Sequence, residues 1–405
     1  TIAEHGQLIA EAGTGTGKTF AYLVPALLSG GKVIVSTGTK TLQDQLFQRD
    51  IPTVRDVLKV PVTIALLKGR SNYVCHYHLD RAEHEGRFHS KEDVKHLHSV
   101  IRYAKTTQSG DKAACPGVPE NAPIWAHVTS TRDNCLGQDC PCHKDCFVLK
   151  ARQAAQEADV VVVNHHLFFA DVWLRDEGAG ELLPACNTVI FDEAHQLPEV
   201  ASLFFGETVT SGQLIELARD ARAEAIVVAK EFIVLPQAAE ALEKSVKDLR
   251  LVFKSDGLRL PQHQLSDYPK FFAALDEVVA RVKTLRELLA KQSERAEALE
   301  KCEQRAAGLV DALTRWREGD HEDAVHWIDV SSFGFMLHAT PLNVADIFRK
   351  QLNGNSRAWI FASATLAVNG HFKHYQHELG LWDARTALWD SPFDYKRQAV
   401  LYVPP

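Results

Sequence analysis

Long apolar runs are missing from this sequence. No run reaches the ~18–20 residues that a bilayer span requires. No positively charged start leads into an apolar stretch, so no secretory leader is visible, and a cytoplasmic setting is the default expectation. Positive charge is also scarce. The formal net charge is −7, which argues against a basic coat over the whole surface but leaves room for a local basic groove. There are no internal repeats and no low-complexity tract. What is present, 45% hydrophobic and 24% charged residues, fits a globular protein. A chain of 405 residues exceeds one ordinary core and predicts two or three domains.

The first segment alternates short apolar runs with amphipathic ones. "QLIAEA", "KVIVST" and "VTIALLKG" read as strands, and "KTFAYLVPALLS" and "TLQDQLFQRDI" as helices. Continuous β-branched runs between helices predict a parallel sheet buried on both faces. The pattern breaks after Gly69. Residues 75–146 are rich in His, Cys, Gly and charge, too poor in apolar residues to fold without support such as a metal. The sheet pattern resumes at "ADVVVVNHHLFF" and "NTVIFDEAH". From about Ser211 to Arg317 the chain reads as helical. Leu275, Val278, Val282, Leu285 and Leu289 mark one long helix; Leu299, Cys302, Leu309, Leu313 and Trp316 mark another. "AVHWIDVS", "FGFMLHA" and "RAWIFASATL" read as a return of strands to the α/β sheet. The expectation is one α/β domain with a Cys-rich insertion and a helical insertion.

Ala12-Gly13-Thr14-Gly15-Thr16-Gly17-Lys18-Thr19 follows a strand and opens a helix, as the phosphate-loop template requires, with Ala at the first Gly position. Bare backbone lets N–H groups converge on phosphate oxygens, and the helix adds its positive end. Lys18 reaches the β- and γ-phosphates of ATP and Thr19 ligates Mg²⁺ in such a loop. "TVIFDEAHQ" supplies the matching carboxylates at the end of a buried strand. Asp192 is the candidate Mg²⁺ ligand, Glu193 the base for an attacking water, and His195 a link to whatever moves.

Eight cysteines are unevenly spread. Cys135, Cys140 and Cys146 are spaced C-x4-C-x5-C, and Cys75 lies upstream. Four thiolates suit a [4Fe–4S] cluster or tetrahedral zinc, and spacing alone leaves both open. Cys142 and Cys115 read as bystanders, Cys186 and Cys302 as small buried hydrophobes. The eight histidines between 76 and 143 read as a solvated surface. Thr37, Thr39 and Lys40 sit between a strand end and a helix start, a set suited to nucleic-acid phosphates, although a helix cap explains a threonine there equally well. Lys68, Arg70 and Tyr73 combine charge with an aromatic surface suited to single strands. Asn164 and His165 close a strand on the same side of the sheet.

Asp-Glu-Ala-His after such a loop resembles superfamily 2 helicases. "EAGTGTGKT", "VSTGTKTLQDQL", "LKGRSNYVC", "DNCLGQDCPCHKDC", "ADVVVVNHHLF", "VIFDEAHQLPEVA", "LHATPLNVADIF", "FASATL" and "SPFDY" together resemble the DinG/XPD family of iron–sulfur DNA helicases. Within it the bacterial DinG/YoaA branch is more similar than eukaryotic XPD. The resemblance spans nearly the whole chain. It implies a RecA-like P-loop first motor domain in three parts, 1–72, 151–206 and 323–405, interrupted by an iron–sulfur domain, 73–150, and a helical arch, 207–322. It implies a [4Fe–4S] cluster on the four cysteines, ATP-driven unwinding with 5′→3′ polarity, and work on single-stranded or forked DNA beside replication or repair proteins at the nucleoid. Thr37, Thr39 and Lys40 fall in the motif that grips DNA. Ser363 and Thr365 fall in the motif that couples hydrolysis to movement. The arginines of a second motor domain and the adenine-reading glutamine have no counterpart in "SPFDY"–"LYVPP" or ahead of the loop. The resulting expectation is a fragment that binds DNA and unwinds little alone. The competing expectations are a non-catalytic nucleic-acid-binding module and a zinc-containing ATPase acting on RNA.

Overall fold

The computed structural model describes residues 1–85, 88, 90–132, 134–176, 181–319, 324–341, 344–353 and 356–400. The closing "LYVPP", the expected boundary at 322/323, and Leu342-Asn343 of "LHATPLNVADIF" lie outside the described residues. The chain forms two compact units.

The first unit comprises Thr1–Gly69, Val148–Phe204 and Asn343–Pro405. Its seven strands are β1 (Gln7–Ala12), β2 (Val33–Thr37), β3 (Ile64–Leu66), β4 (Val160–Asn164), β5 (Thr188–Asp192), β6 (Ala358–Ser363) and β7 (Arg385–Trp389). They pair in the order β7-β1-β6-β5-β2-β4-β3, and every pairing is parallel. All residues of β2, β5 and β6 are buried, as helix-covered parallel strands require. This is the expected α/β fold. Beneath it a stack of Phe168, Phe191, Phe348, Trp359 and Phe361 rings fills one layer with centroids 4.8–6.3 Å apart. The carboxyl ends of neighbouring strands fall side by side. Thr37 pairs with Asn164, and Ser36 with Phe191, so three chemically active strand ends share one edge.

The second unit comprises Arg70–Phe147 and Phe205–Leu342. Four long helices, Ser211–Val228, Val234–Arg250, Phe271–Ala290 and Glu297–Glu318, share an apolar core. Thr210 and Gln213 form a reciprocal cap at the first of them, and Gly319 ends the last in the left-handed region. The five residues expected on one face of Phe271–Ala290 are all fully buried. Strands Glu207–Thr210, Phe335–Pro341, Ala324–Val330 and Leu258–Pro261 pair in that order as an antiparallel sheet. The runs "AVHWIDVS" and "FGFMLHA" are therefore strands, but not of the motor sheet. The reason is visible in their burial. His326, Ile328 and Val330 are buried while Val325, Trp327 and Asp329 are not, a period of two that belongs to a one-sided antiparallel sheet. The Cys-rich segment packs on the helices through charged groups. Arg81 and Tyr77 meet Glu224, and Arg219 donates to the Ala126 carbonyl at 3.1 Å. No helix among the described residues is long and apolar enough to cross a membrane.

Candidate nucleotide site and cysteine cluster

The loop after β1 bends through two glycines with positive φ, Gly15 at 88° and Gly17 at 81°. A Cβ on Gly17 would meet nothing within 4 Å, so conformation alone demands glycine there. A Cβ on Gly15 would strike the Phe393 ring at 2.4 Å, so that position also needs the space. The loop is pinned by Gly13 N–H to the Trp389 carbonyl at 2.9 Å and by the Thr16 hydroxyl to the Gly13 carbonyl at 2.9 Å. The helix Lys18–Leu28 starts directly behind it. A cavity of about 530 Å³ opens over residues Gly13–Phe20, walled further by Arg49, Asp50 and Glu193.

The acidic turn completes this cavity. Lys18 Nζ lies 3.3 Å from Glu193 Oε1. Asp192 is buried, and its Oδ2 accepts from the Thr37 hydroxyl at 3.4 Å. Its Oδ1 is buried with no protein partner. Burial, reinforced by the Glu193 charge and opposed by Lys18 and Thr37, pushes the Asp192 carboxyl up to about 6. The buried phenol of Tyr22 is raised mainly by desolvation; it also feels the Asp192 charge and meets the Thr19 hydroxyl. A half-satisfied buried carboxylate beside a hydroxyl and a backbone cradle fits a divalent cation bound with a triphosphate. Glu193 takes a left-handed conformation, φ 55°, uncommon for a residue with a side chain. His195 Nδ1 is 2.8 Å from the Ser363 hydroxyl and 3.3 Å from Glu193 Oε2. Thr365 N–H donates to Ser363 Oγ at 3.4 Å.

Three residues expected to touch DNA are placed otherwise. Thr37 is fully buried and serves Asp192. His165 is fully buried, with Nδ1 2.7 Å from Ser36 Oγ; burial pushes its ring down to about 3, so it stays neutral. Tyr73 is 4% exposed, which leaves no ring face for stacking. The strand-end pattern was read correctly in each region, but sequence did not say which way each side chain turns. Thr39 and Lys40 are exposed; Thr39 caps its helix, accepting from Leu42 N–H at 3.3 Å. Asn164 caps the next helix, accepting from Leu167 N–H at 2.8 Å. Two residues escaped sequence reasoning. Glu11, just ahead of the loop, accepts from Leu366 and Ala367 N–H, tying the loop strand to the segment after Ser363. A carboxylate closing an apolar strand was the available signal. Tyr375, fully buried, donates to the Ala194 carbonyl at 2.8 Å, and nothing local announced it.

In the second unit, Cys75, Cys135 and Cys140 lie close enough to influence one another's charge, as do Cys140 and Cys146. Arg70 donates to Cys135 Sγ at 2.9 Å and Gly137 N–H approaches it at 3.4 Å. Burial pushes the Cys75 thiol up to about 11, opposed by main-chain N–H groups of His78 and Tyr77. Desolvation likewise raises Cys140, opposed by the main chain of Cys142. N–H groups aimed at sulfur favour thiolates, the form that binds metal. Among the described residues no three His, Cys, Asp or Glu are gathered to hold a single ion.

A seven-stranded parallel sheet with a phosphate loop after one strand and an Asp-Glu-Ala-His turn after another defines a P-loop nucleotide-binding protein of the DEAD/DEAH kind. Comparison with known proteins agrees. Residues 1–76 match the DEAD/DEAH box helicase model. The ATP-dependent DNA helicase YoaA of Escherichia coli (strain K12) is 44% identical over 99% of this chain and 63% of its own length. The Haemophilus influenzae protein of the same name is 41% identical, covering 100% of this chain and 63% of its own. An ATP-dependent helicase DinG of Mycobacterium tuberculosis is 30% identical, covering 98% and 62%. The chain is similar to these YoaA and DinG helicases along its whole length, and it spans a little under two thirds of the length of these relatives.

Proposed function

We propose that this chain is the nucleotide-binding motor part of an ATP-dependent DNA helicase. One observation carries the reading: the loop lysine Lys18 pairs with Glu193, whose neighbour Asp192 is buried with its Oδ1 unpartnered. In this reading the amides of Gly13–Thr19 and Lys18 grip the β- and γ-phosphates, and Thr19 and Asp192 would hold Mg²⁺. Mg²⁺, when bound, would offset the charge of the phosphates. Without nucleotide, Lys18 occupies Glu193. When phosphate draws Lys18 away, Glu193 is free to orient a water and take its proton. His195 then relays the change in Glu193 to Ser363 and Thr365. Single-stranded or forked DNA is the proposed track, with exposed Thr39 and Lys40 as backbone contacts, Asn164 shaping that edge, and Arg70 beside the cysteines. Polarity of 5′→3′, a cytoplasmic, nucleoid-associated setting and replication or repair partners follow from family likeness.

Cys75, Cys135, Cys140 and Cys146 are proposed to hold a [4Fe–4S] cluster. The N–H groups on three of the four sulfurs support this, with the family likeness. Colourless, zinc-loaded protein after anaerobic purification contradicts it. Lys18→Ala in the full-length protein tests the motor: DNA-stimulated hydrolysis is expected to fall by about 10²–10³ with DNA affinity kept. Unchanged unwinding supports a non-catalytic binding module instead.

A further inference from the structure

β4, β2 and β5 end side by side, and each contributes to one enclosed contact. His165 follows β4, Ser36 lies near the end of β2, and Asp192-Glu193 closes β5. Ser36 Oγ stands 2.7 Å from His165 Nδ1. The ring is 0% exposed and sits 6.0 Å from the Phe191 ring, centroid to centroid. The main chain of Asp192 and Glu193 lies near the ring, and Nε2 is buried with no hydrogen-bond partner. A neutral imidazole carries one N–H, and a hydroxyl donating to Nδ1 leaves that N–H on Nε2. The turn it faces holds Glu193 at φ 55°, a conformation that persists only where its surroundings enforce it. Thr37, the neighbour of Ser36, orients the Asp192 carboxylate from the same strand.

We infer that His165 is a positioning residue for the acidic turn: braced by Ser36, its Nε2–H closes on the main chain of Asp192-Glu193 and fixes where both carboxylates point. The ring touches neither nucleotide nor nucleic acid. It acts through the turn alone, so its removal changes turnover and cation use, and leaves ground-state phosphate binding and DNA binding in place. This inference rests on the ATP-hydrolysing reading given above.

The test uses the full-length protein with His165→Leu, which fills the space without an N–H, and His165→Gln, which returns an amide donor near the Nε2 position. His165→Leu is expected to lower kcat for DNA-stimulated ATP hydrolysis by about 10–100-fold, the range for loss of an outer hydrogen-bonding support. KM for ATP, single-stranded DNA affinity and unfolding temperature hold. It is also expected to lose most of the gain in ADP affinity that Mg²⁺ confers, while Mg²⁺-free ADP affinity is kept. His165→Gln recovers a large part of both. Unchanged kcat and an unchanged Mg²⁺ gain in His165→Leu overturn the inference. So does a loss of DNA affinity with normal turnover of the bound complex, or an equal loss in both variants together with a lower unfolding temperature. If the unaltered protein shows neither hydrolysis nor any Mg²⁺ gain, the ATP-hydrolysing reading itself falls, and this inference with it.

Discussion

The two sheets of this chain bury their strands in opposite ways. In the first unit β5 hides all five of its residues, and its chemistry begins where the strand stops, at Asp192. In the second unit Ala324–Val330 hides alternate residues. A strand buried on both faces must be apolar along its length, so polar groups collect at its carboxyl end. A one-sided sheet spreads its polar groups along the solvent face. The second unit gathers its cysteines in a segment that meets the helices through an Arg81–Glu224 ion pair and an Arg219 bond to the Ala126 carbonyl.

The contrast can be broken most forcefully at the cysteines. Cys135→Ser is expected to reduce iron content to background and to speed protease cleavage within residues 107–146 by tenfold or more, because metal binding supplies folding energy to such a segment. Nucleotide affinity of the first unit should stay within about twofold, since none of the four cysteines belongs to that unit. Next in size, Leu285→Ala opens a cavity at a fully buried site in the second unit and costs about 2–5 kcal/mol in that unit's unfolding, read by denaturant titration.

Asp192→Asn should separate function from stability in the first unit. The Asp192 carboxyl is raised from its ordinary 3.8 to about 6 in the folded protein, chiefly by burial. Above pH 6 the fold carries a charge that the unfolded chain holds more easily, and stability is lost as pH rises through that range. The substitution is expected to abolish hydrolysis yet to stabilise by up to about 3 kcal/mol at pH 8, with the gain gone near pH 4. The smallest effect belongs to Cys142→Ser. Iron content is expected to be unchanged and stability to move by less than about 0.5 kcal/mol. Loss of iron here would move Cys142 from bystander to ligand.

Much of the first unit was legible because its signals are local. A loop of glycines between strand and helix states its own conformation, and an apolar run ending in Asp-Glu states where the sheet stops. Side-chain direction was not legible at strand ends. Thr37 and His165 were read as facing DNA, but a one-residue difference in facing turns a side chain into the sheet, where each found a buried partner. Tyr375 reaches Ala194 from 181 residues away, a contact that only the fold creates. In the second unit the helical stripes were plain. The strands at 324–341 were recognised as strands but given to the other sheet, because with Val325 and Trp327 apolar and His326 buried the sequence does not show the alternation that burial does.

The most direct test of the shared cation site is a double-mutant cycle on Mg²⁺-dependent ADP affinity, using Thr19→Ala and Asp192→Asn in the full-length protein. If both residues serve one cation, either change removes most of the Mg²⁺ gain and the pair together adds little, a coupling of about 1 kcal/mol or more. Strictly additive losses would show that the loop and the acidic turn act on separate ligands, and the motor reading would be contradicted.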